Sequence, residues 1–142
     1  MPAKDSNHKT NEEDETYADR FNIFFMTLTI ICEDAAKACD IMNNYNVAWE
    51  LQTDASQDGE MLLKFHGDRF SAQQAAAIRE FVDSLESLPS EAIFYENLRG
   101  AHLRALRSEP WSRIRRQARA LAKLLALESA KVHRILWPDD LN

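Results

Sequence analysis

Three glycines in 142 residues leave this chain little freedom to turn. Gly59, Gly67 and Gly100 are too few and too scattered for a glycine-rich phosphate loop, so neither a Walker nor a Rossmann nucleotide site is expected. A sandwich or barrel needs many tight turns, and glycine fills the positive-φ positions that such turns use most. The scarcity therefore directs the chain toward helices. At this length one domain is expected, burying roughly 68–70% of the surface that the unfolded chain exposes, so neither a metal nor a disulfide is needed to hold the core.

Residues 1–11 are polar and read as a flexible tail ahead of a single globular domain over 12–142. Thr10 or Asn11 can cap a helix whose positive end carries Glu12, Glu13, Asp14 and Glu15. Phe21, Phe24, Phe25, Leu28, Ile31, Cys32, Ala35, Cys39 and Met42 then recur at helical spacing and predict one long helix over about 12–45. The Phe, Ile and Thr content of 21–31 supports a competing strand there. That strand would begin a βαββα ferredoxin-like fold with a helical C-terminal extension.

The period changes after Asn43-Asn44-Tyr45-Asn46. Val47, Trp49 and Leu51 alternate with polar or small neighbours, as do Met61, Leu63 and Phe65 except at Leu62, and the loop DASQDG separates them. This pattern predicts a β-hairpin with strands at about 46–53 and 60–66. Helical signals return at Ser71 and Gln74, a capping-box pair, followed by Ile78, Phe81, Val82, Leu85 and Leu88. Pro89 stops that helix and Ser90 starts another, with Phe94, Leu98, Ala101 and Ala105 facing inward. A last helix runs from Trp111 toward Trp137. The expected fold is thus α+β and predominantly helical: a long N-terminal helix, one hairpin, and three C-terminal helices packed as a bundle.

No apolar run is long enough to span a membrane. The stretch FNIFFMTLTIIC at 21–32 follows acidic residues, which is wrong for a signal peptide, so a cytoplasmic location is expected. Cys32 and Cys39 would lie about 10.5 Å apart along one helix, too far for a disulfide, and read as buried thiols. His8, His66, His102 and His133 lack metal-type spacing. No metal or other cofactor is expected.

Charge is segregated. Residues 1–70 carry 6 Lys+Arg against 14 Asp+Glu, and residues 71–142 carry 11 against 9. Between 97 and 123, Arg99, Arg104, Arg107, Arg113, Arg115, Arg116, Arg119 and Lys123 face a single acid, Glu109. The stretch LAKLLALESAKVHRIL at 121–136 resembles the helix-turn-helix of bacterial repressors. That resemblance places a turn at Ala126-Leu127-Glu128 and a recognition helix after it, and implies that Ser129, Lys131, His133 and Arg134 approach bases or phosphates. The departures are Ala126 where that family carries a flexible Gly, and Glu128 where it carries a capping Ser or Thr. Ala, Leu, Glu and Lys favour an unbroken helix through the same residues. The stripe Trp111, Ile114, Ala118, Leu121, Leu125, Val132 and Leu136 stays in phase throughout. On such a helix Arg113, Arg116, Lys123, Lys131 and Arg134 form one outward stripe.

Catalytic patterns are absent from the sequence: no nucleophile elbow, no HExxH, no paired acids. His66-Gly67-Asp68-Arg69 is the one turn that could hold a proton relay. The expected function is a non-enzymatic interaction module, such as a small inhibitor, immunity-type or adaptor protein, docking another protein through Arg113, Arg116, Lys123, Lys131 and Arg134. The alternatives are a DNA-binding regulator using about 110–136 and a small enzyme centred on 66–69.

Overall fold

The apolar period from Tyr17 to Ile31 does form a helix. Tyr17, Phe21, Phe24, Leu28 and Ile31 are all buried along one face of it. A computed structural model describes the backbone of residues 2–141 and the side chains of residues 12–139. It contains seven α-helices: α1 (Pro2–Cys32), α2 (Ala35–Ile41), α3 (Val47–His66), α4 (Ala72–Glu86), α5 (Arg99–Arg107), α6 (Glu109–Leu124) and α7 (Ala126–Leu136). Among the described residues there is no strand, so the fold is all-helical rather than α+β. The competing strand at 21–31, and with it the alternative ferredoxin-like start, gives way to α1. The tail expected over 1–11 lies outside the residues whose side chains are described.

The first helix is shorter than the period suggested. It stops at Cys32, and Asp34 opens α2 from an extended backbone (φ −65, ψ 163), accepting a bond from the Lys37 amide at 2.9 Å. A short acid that bonds a nearby amide competes with helix continuation, which is why the apolar phase carried on while the backbone did not. After α2 the chain reverses through Asn43, Asn44 and Asn46, whose φ values of 56, 54 and 39 are left-handed. Asparagine tolerates that region better than other side chains do.

The expected hairpin at 46–53 and 60–66 is one continuous helix, α3. Val47, Leu51, Ala55 and Leu62 share its buried face, while Trp49, Met61 and Phe65, which the alternation placed inside, are among the exposed residues. Gly59 is no turn residue. A Cβ there would lie 2.5 Å from Val82 Cγ2 and 3.1 Å from Phe24 Cε1. Its missing side chain lets α3 approach α4 and α1 closely, which outweighs the helix propensity lost to glycine.

The contacts close a ring of four helices, with α1 on α3, α3 on α4, α4 on α6 and α6 on α1. Neighbours run antiparallel. Arg20 in α1 meets His66 at the end of α3; Gln52 and Glu60 of α3 meet Leu85 and Arg79 of α4; Arg119 of α6 meets Cys32 at the end of α1. This is an up-down-up-down four-helix bundle. Helices α2 and α5 pack on each other at one end, tied by Arg99 to Asp40 at 2.7 Å. The opposite end holds the His66–Arg69 corner.

Caps follow the sequence at α4. Ser71 Oγ accepts from the Gln74 amide at 3.1 Å, and Gln74 Oε1 accepts from the Ser71 amide at 2.9 Å. The helix expected to start at Ser90 starts only at Arg99. Residues Phe94 and Leu98 are 65% and 59% exposed, not inward. The intervening segment is held instead by the Trp111 indole, which donates to the Ala92 carbonyl at 2.9 Å in the core.

The helix expected to be unbroken from 111 to 137 divides at Leu125 (φ −95, ψ 5). The break is one residue long. The Leu125 amide still donates to Leu121 O at 2.9 Å, and the Ser129 amide donates to Leu125 O at 2.8 Å. Residues 126–128, where a helix-turn-helix would turn, are the first turn of α7. Both α6 and α7 lie along α1, so the bend follows the surface of that helix. Cys39 is buried and Cys32 half-buried, both as free thiols, and burial pushes both thiols up from their ordinary range. Among the described residues no helix is long and apolar enough to cross a membrane.

Candidate functional site

The bundle sorts the arginine-rich segment into two groups. The first group is structural. Arg115 donates from Nε to Glu33 O at 3.0 Å and from Nη2 to Leu106 O at 2.7 Å, and Arg119 donates from Nε to Cys32 O at 2.9 Å. These carbonyls lie at or beyond the C-termini of α1 and α5, where cations satisfy orphan acceptors and oppose the helix dipole. Burial and the neighbouring Arg119 lower the Arg115 pKa.

The second group is exposed. Arg113, Arg116 and Lys123 on α6, and Lys131 and Arg134 on α7, project from the side opposite Trp111, Ile114, Leu121 and Leu125. The acids that meet them are local. Arg113 and Arg116 share Glu109, at 3.5 and 3.3 Å, and Lys131 stands 3.8 Å from Glu128. Among the described residues neither Lys123 nor Arg134 has an ion-pair partner. One acid shared by two exposed arginines offsets their charge only weakly. A net positive face therefore remains on a chain whose overall charge is −6.

Leu127 sits inside that face and is 80% exposed, the highest value among the large hydrophobic side chains described. Its spacing of seven from both Ala120 and Arg134 placed it on the solvent side of the helix, a signal legible in the sequence but masked by its apparent role as a turn residue. The surrounding Ala120 and Ala130 are exposed as well.

The chain matches no protein-family model, no curated protein and no solved structure.

The 66–69 corner differs from its expected form. His66 and Asp68 share no hydrogen bond. Arg20 Nη1 donates to His66 Nε2 at 3.2 Å, so the proton of the neutral ring sits on Nδ1. Partial burial, then Arg20 and Arg69, lower the His66 pKa. Arg69 pairs with Asp14 at 2.7 Å and covers the Tyr17 ring at 4.7 Å. A cleft of about 420 Å³ lies beside them, bordered by Glu13, Phe65, His66 and Asp68. These contacts pin the middle of α1 to the end of α3, and among the described residues the one hydroxyl bordering the cleft is the exposed Thr16, which donates to the Glu12 carbonyl.

A third polar cluster was missed by the sequence. His102 is fully buried on α5, its Nε2 within 3.1 Å of Asn44 O and 3.0 Å of Asn97 Oδ1, and its Nδ1 2.9 Å from the Tyr95 hydroxyl. The acceptors at Nε2 fix the proton there, and Tyr95 donates to Nδ1. Asn97 Oδ1 also accepts from the Asn46 amide at 2.8 Å. The network locks the left-handed asparagine loop onto α5, and every ring nitrogen is used. Among the described residues no group of three or more His, Cys, Asp or Glu side chains is placed to hold a metal ion.

Proposed function

We propose that the protein is a non-enzymatic interaction module that docks an acidic partner protein on the outer face of α6 and α7. The observation that carries this reading is that, among the described residues, Lys123 and Arg134 have no ion-pair partner and are exposed, as are Arg113, Arg116 and Lys131. Unneutralised cations on a rigid helical face accelerate encounter with an oppositely charged surface and orient it. Arginine adds bidentate geometry toward carboxylates. Docking without chemistry is the mode of an inhibitor or an adaptor. Two free thiols with raised pKa values fit a reducing, cytoplasmic setting.

The test is the double variant Lys123→Glu/Arg134→Glu, compared with the unaltered chain against partners captured from a lysate of the source organism. The variant is expected to melt at the same temperature within about 2 °C, because exposed charges contribute about 0–1 kcal/mol. Its association rate should fall at least about tenfold at low ionic strength and converge with the unaltered chain at high salt. Equal association at every ionic strength would sink the reading. So would a site-specific complex with duplex DNA that disappears in Arg134→Ala, which would assign the face to nucleic acid.

A further inference from the structure

On the reading just given, we infer that the partner element is an acidic amphipathic helix whose single apolar side chain seats on Leu127, with carboxylates four residues to either side. The exposed face of α6–α7 supplies both halves of that description. Lys123 and Lys131 stand four residues before and after Leu127, and Arg134 stands one further turn away. Ala130, one turn on, lies on the same side of α7 and is exposed, as is Ala120 on α6. The result is a small apolar floor ringed by cations. Lys123 lies in the last turn of α6 and Lys131 in α7, on either side of the break at Leu125.

The charge pattern chooses among occupants. Leu127 has no counterpart on a phosphate backbone, which would leave an 80% exposed leucine against a charged surface. Insertion into a lipid interface calls for a broad apolar face, whereas this one presents a single large apolar residue among five cations. A helix with acid, apolar and acid positions at intervals of four meets every element of the face. Helix-on-helix recognition of this kind takes specificity from one buried anchor and orientation from the flanking charges.

The probe is a synthetic helical peptide with one leucine flanked by glutamates at four residues to each side, titrated against the full chain by fluorescence anisotropy. A second peptide replaces the leucine with serine. The leucine peptide is expected to bind the unaltered chain about tenfold more tightly than the serine peptide. Leu127→Ser should abolish that preference without moving the melting temperature. If the two peptides bind equally, or if Leu127→Ser leaves the preference intact, the anchor is refuted while the basic-face reading stands. If Lys123→Glu/Arg134→Glu weakens neither peptide, the basic-face reading itself fails. Tighter binding to duplex DNA, or to phosphatidylcholine–phosphatidylserine vesicles, than to the leucine peptide overturns the choice of occupant.

Discussion

The Tyr17 hydroxyl donates a 2.6 Å hydrogen bond to Glu128 Oε1, across 111 residues of sequence. It fastens the first helix of the bundle to the last, on the turn of α7 that follows the break at Leu125. Tyr17 is 1% exposed and the Glu128 side chain 12%. Burial, followed by the bond to Glu128, raises the Tyr17 pKa far above its ordinary value, so the tyrosine stays a donor at any working pH.

Removing that hydroxyl isolates the bond. Tyr17→Phe keeps the ring against Phe21, His66 and Phe70 and leaves a largely buried carboxylate whose remaining partner among the described residues is Lys131, at 3.8 Å. A hydrogen bond to a charged acceptor contributes about 1.5–3 kcal/mol. Urea unfolding of Tyr17→Phe should show a loss in that range, and an unchanged midpoint would mean that the bond does not hold α7 to α1.

Gly59→Ala is expected to destabilise by about 1–3 kcal/mol through overpacking. The direction is diagnostic, because alanine in an open helix position gains about 1 kcal/mol over glycine. The added methyl would meet Val82 Cγ2 at 2.5 Å. A rise in the thermal midpoint would show that α3 and α4 are farther apart than this. Val82→Ala combined with Gly59→Ala should recover part of the loss, since the two sites share one contact.

His66 makes stability depend on pH with a definite sign. Its pKa in the fold is lowered, by burial first and then by Arg20 and Arg69. The unfolded chain therefore binds the proton more readily. The contribution is present above the ordinary histidine pKa of about 6.5 and is lost as pH falls below it. Thermal midpoints measured from pH 7 to 5 should drop more steeply for the unaltered chain than for His66→Gln, whose amide oxygen can still accept from Arg20. Parallel curves would show that His66 titrates as it does in water.

Asp54 and Asp58 act in the opposite direction at the middle of α3. Burial raises both carboxyl pKa values, and Asp54 adds repulsion at Asp58. Among the described residues neither has a hydrogen-bond or ion-pair partner. A raised folded pKa means that the charged form is disfavoured by folding, so each acid weakens the fold at neutral pH. Asp58→Asn should raise the melting temperature at pH 7, and the gain should shrink as pH falls toward 3. A gain that persists unchanged in acid would point to the amide's own contacts instead.

Composition and local pattern determined by themselves that the chain is mainly helical, that Ser71 caps α4, and that Phe21, Phe24, Leu28 and Ile31 face a core. Each of these depends on spacing along a single helix or on a cap within one turn, and such information is local. Tertiary packing decided the rest. Residues 47–66 satisfy a period of two in short windows, and packing against α1 and α4, which buries Val47, Leu51, Ala55, Gly59 and Leu62 along one face, makes one helix the better solution. The guanidinium groups of Arg115 and Arg119 look like their neighbours in sequence, yet the nearby ends of α1 and α5 turn them into caps. The backbone bends at Leu125 because α6 and α7 both follow α1, and that bend sets Glu128 beneath Tyr17. Leu127 is exposed for the same reason: Leu125 and Val132 are buried against the bundle, and at about 100° per residue Leu127 falls on the opposite side of the helix.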